Sequence, residues 1–201
     1  MAKGEMANGK PKKGLIQLLR KFARDYQGLS AIEFALVFPV MATLYLGGTA
    51  LTQGIVIKRK VTLVTRAVGD LTSQDTDIDN TEMNTIFSAA AAVMQPYPTT
   101  TLTLTITSLK VDKNGVGTVE WSNRSVNGGN FVQGRVAQST MTLTDLAVPD
   151  TTVHFIMAEG TYTYTPPVGT SFVGTLPLSN TFYFRPRRVD CIKRNSTACT
   201  T

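Results

Sequence analysis

Glu33 is the residue whose surroundings in the sequence point most directly to chemistry. It lies at the edge of a run of 24 residues, 34–57, that contains no charged side chain. A carboxylate inside a membrane helix costs about 2.5–3.5 kcal/mol at mid-span and less near the interface. Two interpretations follow. Either Glu33 lies at the level of the lipid headgroups, where its charge costs little, or it is buried and needs a cationic partner.

Cys191 and Cys199, the two cysteines of the chain, are the second candidate for chemistry. Their spacing matches no zinc-binding pattern, and no histidine lies near them. A disulfide between them would stabilise the fold by about 2.5 kcal/mol on the loop-entropy estimate. We therefore expect a Cys191–Cys199 disulfide, formed in an oxidising compartment such as the periplasm. Basic residues flank this loop, either as a solvated cluster or as a contact surface: Arg185, Arg187, Arg188, Lys193 and Arg194.

The remaining residues predict neither an enzyme nor a cofactor or metal site. The chain has one histidine, His154, which falls within a predicted strand and is expected to be structural. The sequence contains no glycine-rich phosphate loop, G-x-S-x-G elbow or H-E-x-x-H motif. Asp75, Asp77 and Asp79 alternate as in a calcium loop, but the glycine and the closing glutamate of such a loop are missing.

The charge of the chain is concentrated at its N-terminal end. Residues 1–60 hold ten Lys/Arg and three acids, whereas residues 61–201 hold ten Lys/Arg and eleven acids. A nucleic-acid-binding domain would carry its positive charge on the folded body. A basic segment beside an apolar one instead fits a membrane surface. We therefore expect membrane lipid, and no nucleic acid, among the partners of the chain.

The uncharged run 34–57 has the length of a membrane span. As a helix it would be about 36 Å long, enough to cross a hydrocarbon core of about 30 Å. It is longer than the apolar core of a secretory signal, which has about 7–15 residues. Pro39 removes one helix hydrogen bond and is expected to kink this helix. Basic residues flank the run on both sides in nearly equal number, so the positive-inside bias leaves its orientation open.

The helix is predicted to continue beyond the membrane. Apolar residues recur at helical spacing after the run, which predicts one helix over 29–72 whose second half is an amphipathic spine. Residues 73–201 are then expected to form an α+β head, with a helix over Thr81–Gln95 capped by Asp79 and Glu82. The apolar residues of the spine are Val61, Val64, Val68 and Leu71. The second helix is expected to bury Met83, Ile86, Phe87, Ala90, Val93 and Met94.

The head is expected to contain four or five antiparallel strands that pack on the helices through one face. Strict alternation in LTLTIT places Leu102, Leu104 and Ile106 on one side of a strand. The sequence of residues 131–143 predicts no particular secondary structure. Further strands are expected at 116–121, 153–164 and 178–185, with a turn at 112–115 and tyrosines and phenylalanines of the last two strands in the core.

The N-terminal residues also carry a family resemblance. A basic leader, 1–28, ends in Gly28, and Glu33 is the fifth residue after it, within the string EFALVFPV that includes Phe34 and Pro39. This arrangement resembles the prepilin peptidase site of type IV pilins and, more closely, the TadE/TadG-like minor pseudopilins of Flp/Tad pilus systems. The resemblance covers residues 14–72 well and the rest loosely, through YTYTPP at 162–167 and FRPR at 184–187.

The resemblance implies a processing step and an assembly role. Prepilin peptidase would cut between Gly28 and Leu29, and Glu33 would meet the new α-amino group of a neighbouring subunit, with Phe34 and Pro39 in the helix packing. The implied protein is a minor pilin with a pilin-like fold, held in the inner membrane with a periplasmic head. It would be assembled with other pilins and the pilus machinery into a cell-surface, adhesive filament.

Two other functions stay open on the sequence alone. The chain could be an uncleaved single-span envelope protein, which would keep its leader. It could also be a membrane-anchored module that binds a surface ligand, in which case Glu33 would be dispensable.

Overall fold

The fold is α+β. The computed structural model describes residues 28–143, 150–166 and 174–200. The described elements, in chain order, are α1 (Leu29–Ser73), β1 (Asp77–Ile78), α2 (Asn80–Val93), β2 (Leu102–Val111), β3 (Val116–Val126), β4 (Phe131–Gln133), β5 (Thr140–Thr142), β6 (Val153–Tyr164), β7 (Leu176–Phe184) and β8 (Lys193–Arg194). The chain divides into two compact units, and the boundary between Leu46 and Gly47 falls within α1.

The first unit contains the beginning of α1. The side chains of this part of the helix are mostly apolar and exposed; the exposed fraction is 67% for Phe34 and 73% for Leu36. Pro39 lies inside the helix, which continues past it. The rings of Phe34 and Phe38 lie one helical turn apart, with centroids separated by 5.5 Å. A helix that is apolar on every exposed face suits a lipid or protein environment rather than water.

In the second unit, α1 becomes a packed spine. Val61, Val64 and Val68 are buried as predicted, but Leu71 is 47% exposed and Thr72 is buried in its place. The reason is helical geometry, because the residue four positions after Val68 lies closer to the buried face than the residue three positions after it. The buried face recurs every three or four residues from Ala50 through Gly54, Ile57, Val61, Val64 and Val68 to Thr72.

The main sheet has the order β4-β3-β2-β6-β7, and every neighbouring pair is antiparallel. It contains six strands rather than the four or five expected, because β4 and β5 both pair with β3. These two short strands lie in the segment 131–143, whose structure the sequence left open. The predicted strand 153–164 is confirmed as β6, and 178–185 is observed as β7, Leu176–Phe184.

One face of the sheet forms the main core against both helices. Leu102, Leu104 and Ile106 are buried there as the alternation predicts, together with Tyr162 and Tyr164 of β6. The strands were expected to pack through this face alone, but the opposite face is also buried at one end. The ladder between β2 and β3 shifts register between Ser108 and Leu109. A second, smaller cluster on that side consists of Leu109, Val111, Val119, Leu143 and Met157.

β7 runs along α1 in the second unit. The Lys58 ammonium donates to the Ser179 carbonyl oxygen at 2.6 Å, and the Asn180 amide donates to Thr62 Oγ1 at 3.1 Å. Successive residues of the strand thus meet successive turns of the helix. This contact holds the edge strand of the sheet to the spine and reduces the exposed backbone of that edge.

α2 begins at Asn80, one residue earlier than predicted, and ends at Val93, two residues earlier than predicted. Its N-cap is confirmed, since the Asp79 carboxylate accepts the Glu82 backbone N–H at 2.8 Å. Met83, Ile86, Phe87, Ala90 and Met94 are buried as predicted, whereas Val93 is 48% exposed.

Candidate functional site

The residues of the predicted processing and assembly site lie at the start of α1. The helix begins at Leu29, directly after Gly28, and no described atom lies within 4 Å of the place that a Cβ on Gly28 would occupy. Glu33 and Pro39 are exposed on the helix, as is Phe34. Among the described residues, Glu33 forms no salt bridge. Within residues 28–143, 150–166 and 174–200, this site therefore combines an uncrowded glycine before the helix with a carboxylate that has no ion pair.

Among the described residues, one helix, Ser30–Ser73, is long and apolar enough to cross a membrane, and 6% of its most apolar window is buried. None of the side chains from Ser30 to Thr49 is buried, and Ala50 is the first that is. We call residues 30–49 the N-terminal segment of α1. It has 20 residues, which span about 30 Å, the thickness of a hydrocarbon core.

The predicted disulfide is present. Cys191 and Cys199 are bonded, and their Cα atoms are 6.4 Å apart, within the usual range. The loop that they close contains β8, which pairs in parallel with β1 after the end of α1. The Trp121 indole donates to the Ile192 carbonyl oxygen at 2.8 Å and attaches this loop to the main sheet. We call the β1–β8 pair together with the loop 191–199 the clamp. The disulfide closes this loop, and the clamp joins the segment after α1 to the segment after β7.

Arg194 is the centre of this clamp, and its assignment to a solvated basic cluster is wrong. The side chain is buried, and its guanidinium donates to Asn123 Oδ1 at 2.9 Å and to the Ile78 carbonyl oxygen at 2.9 Å. It also donates to Asn195 Oδ1 at 2.8 Å and Asn80 Oδ1 at 2.6 Å. Burial lowers the pKa of Arg194, but the group stays charged. The other four basic residues of the cluster are exposed.

The alternating aspartates serve local structure. The Asp77 carboxylate accepts the Ser196 backbone N–H at 3.0 Å and the Ser196 hydroxyl at 2.9 Å, and these bonds lower the pKa of Asp77. Asp79 caps α2. Within the described ranges, no group of three or more His, Cys, Asp and Glu could hold a metal ion. The chemistry of these acids is therefore hydrogen bonding to the clamp and to a helix end.

His154 lies inside β6 and packs beside Glu120. Its Nε2 atom is 4.0 Å from Glu120 Oε1, and that nitrogen is buried without a hydrogen bond. Burial lowers the pKa of His154, while Glu120 raises it and Lys110 lowers it further. The imidazole is therefore neutral at pH 7.

A pocket near the other end of the sheet was not anticipated from the sequence. It has a volume of about 360 Å³. Tyr164 donates its hydroxyl to Gln53 Oε1 at 2.9 Å at one side of it. Tyr162 and Tyr164 were predicted as core residues, and only their arrangement in space with Tyr97 reveals a shared cavity. We call it the tyrosine pocket; its lining consists of Gln53, Ile57, Tyr97, Pro98, Thr100, Thr101, Tyr162, Thr163, Tyr164 and Thr165.

Comparison with known proteins identifies no relative: no family model, curated protein or solved structure matches this chain. The TadE/TadG resemblance therefore rests on the residues that carry it, above all Gly28, Glu33, Phe34 and Pro39. Its functional consequences are a proposal.

Proposed function

We propose that this protein is a minor pilin, or pseudopilin, that takes part in assembling a Tad-type type IV pilus. In this proposal the chain is processed between Gly28 and Leu29 and packs against other subunits through α1. The observation that carries the proposal is Glu33 itself, an exposed carboxylate in the N-terminal segment four residues after Leu29.

The packing of the head constrains where the membrane span can lie. From Ala50 onward α1 contacts the head, where Thr100 and Thr163 are exposed polar residues. Polar groups of this kind are unfavourable in hydrocarbon. A core of about 30 Å, or about 20 helical residues, then ends near Thr49 and begins near Ser30.

This placement favours the second interpretation of Glu33. With a span that begins near Ser30, the carboxylate would lie three residues, or about 5 Å, inside the hydrocarbon boundary. A buried carboxylate needs a cationic partner, and the described part of the chain gives it none. An α-amino group exposed at Leu29 of a neighbouring subunit is protonated at neutral pH and would supply the charge. Such a pair would fix the axial register of adjacent helices.

The rest of the architecture fits the same role. A long helix that serves as the spine of an antiparallel sheet is the general pilin plan. The disulfide suits an oxidising compartment, which is consistent with a periplasmic head and an N-terminal leader on the cytoplasmic side. The peptidase and the other pilus subunits would be the partners of the chain in the inner membrane.

The test is incorporation into filaments in cells that carry the pilus system. Glu33→Gln removes the charge with little change in volume, and Asp150→Asn makes the same change at an exposed acid of the head. We expect the Glu33 variant to accumulate in the membrane but to be lost from sheared filaments, while the Asp150 variant assembles normally. Normal incorporation of the Glu33 variant would overturn the proposed pairing.

A further inference from the structure

The tyrosine pocket lies at the level where the head first contacts α1. A Cβ placed on Gly54 would be 3.7 Å from both the Tyr164 ring and Leu176 Cδ1, which shows how closely the helix passes this end of the sheet. Gln53 contributes to the pocket and accepts the Tyr164 hydroxyl. The pocket is therefore beside helix residues 53–57, only one turn beyond the N-terminal segment.

The depth of the pocket follows from the length of the helix. Gln53 is four residues, or about 6 Å, past Thr49, where the hydrocarbon core is expected to end. The headgroup region of a bilayer is about 5–8 Å thick on each side. If α1 spans a bilayer, the pocket is at the depth of the phospholipid headgroups.

The chemistry of the pocket suits that depth. Its lining has tyrosine rings and threonine hydroxyls and carries no charged side chain. Tyrosine is enriched at membrane interfaces because its ring is apolar and its hydroxyl is polar. The Tyr164 hydroxyl donates its proton to Gln53 and keeps its lone pairs as acceptors, while Tyr162 adds a second hydroxyl beside it.

Lys60 adjoins the pocket through the ring of Tyr97. The Lys60 ammonium lies 5.4 Å from the centre of the Tyr97 ring and donates to the carbonyl oxygens of Val93, at 3.3 Å, and Gln95. An ammonium group has three N–H donors, so a third remains for a phosphate oxygen. Arg59, the next residue before Lys60, is exposed and adds positive charge to this part of the helix, which favours an anionic headgroup.

We propose that the tyrosine pocket binds a phospholipid headgroup of the bilayer that α1 crosses, and so seats the head on the membrane surface. This inference rests on the membrane anchor of the proposed function and not on pilus assembly. Docking at this level would fix the insertion depth of the helix.

The test uses depth-dependent quenching of tryptophan in the full-length chain. The protein is reconstituted into phosphatidylethanolamine–phosphatidylglycerol vesicles whose acyl chains are brominated either near the headgroup or near the methyl end. Tyr97→Trp and Thr100→Trp each report on the pocket, and the use of two positions covers the failure of either variant to fold. Leu44→Trp reports on insertion of the N-terminal segment. The wild type, with Trp121 as its single tryptophan, supplies the baseline.

We expect the emission at positions 97 and 100 to be quenched more by the shallow bromines than by the deep ones, and more than in the wild type. Emission at position 44 should be quenched strongly by the deeper bromines. Quenching at position 44 with only wild-type quenching at 97 and 100 would overturn the docking and leave the anchor intact. Equal or stronger quenching at 97 and 100 by deep bromines would also overturn it. No quenching at position 44 would overturn both the docking and the anchor.

Discussion

The ring of Phe184, at the end of β7, packs directly on the backbone of Gly69 in α1. A Cβ placed on Gly69 would overlap this ring and would lie 2.8 Å from the Cβ of Ala158 in β6. Two strands and the spine therefore meet at a point where only glycine fits. The contact explains why a residue of low helix propensity is found inside the helix, close to its C-terminal end.

Substitution of Gly69 tests this contact. Gly69→Ala should destabilise the head by about 1–3 kcal/mol, because the added methyl group overpacks a filled site. Gly48→Ala is the matched control, since no described atom lies within 4 Å of its Cβ position. Urea unfolding of the full chain in detergent, followed by tryptophan emission, measures both. A loss of stability no larger at position 69 than at position 48 would refute the close contact.

Removal of Arg194 should loosen the clamp at the other end of the head. Arg194→Ala is expected to cost about 2–4 kcal/mol, because hydrogen bonds to a charged group contribute about 1.5–3 kcal/mol each and the buried Ile78 carbonyl would lose its side-chain donor. Arg194→Lys should recover little of this, since an ammonium cannot reproduce the planar fork. The same unfolding measurement on Arg188→Ala, at an exposed arginine, should show a change within about 0.5 kcal/mol. Equal stability of the Arg188 and Arg194 variants would contradict the buried role.

The disulfide should stabilise the same clamp. Replacing both Cys191 and Cys199 by serine is expected to lower the free energy of unfolding by about 2.5 kcal/mol, through the larger entropy of the open unfolded chain. The free energy of unfolding should fall by a similar amount in each single variant and in the reduced wild type. Unfolding curves with and without reductant provide the comparison. An unchanged midpoint after verified reduction would show that the loop holds its structure without the bond.

His154 predicts a pH dependence with a definite sign. Its pKa is lowered by burial from the ordinary 6.5, so below that pH the unfolded chain binds more protons than the folded one. Stability is therefore complete above pH 6.5 and is lost as the pH falls towards the folded-state pKa. Because the chain has one histidine, His154→Gln should flatten the curve over this window.

Three acids with shifted pKa values also make the stability depend on pH, and their effect must be separated from that of His154. Hydrogen bonds lower the pKa values of Asp77 and Asp112, so their contributions are lost only below their ordinary value of 3.8. A hydrogen bond with Asp75 raises the pKa of Glu82 above 4.5, and this group has the opposite sign. Comparing the variant with the wild type cancels all three. Identical slopes between pH 5 and 6.5, scanned by thermal unfolding, would show that His154 is not responsible.

Periodicity in the sequence was sufficient for the elements that bury one regular face. The alternation in β2 and the buried positions Val61, Val64 and Val68 followed directly from repeats of two and of three or four residues. The cap at Asp79 and the disulfide likewise depended on residues close together in the chain. Local pattern determines these features, so the sequence could reveal them.

Features built from distant residues escaped prediction. β1 and β8 have two residues each, and a parallel pair between positions 77 and 193 leaves no periodic signal. The burial of Arg194 depends on acceptors at Ile78, Asn80 and Asn123, which only the folded sheet brings together. The tyrosine pocket has the same origin, since Gln53 comes from α1, Tyr97 from the connection between α2 and β2, and Tyr164 from β6.

The most direct test of the central claim is the N-terminus of the mature chain, measured by intact mass on protein purified from membranes of cells with the pilus system. The proposal predicts a chain that begins at Leu29, and predicts that replacing Gly28 by a bulky residue leaves the leader attached. A wild-type chain that begins at Met1 or Ala2 would contradict it. The protein would then be a permanently anchored envelope component, and Glu33 would have no α-amino partner at Leu29.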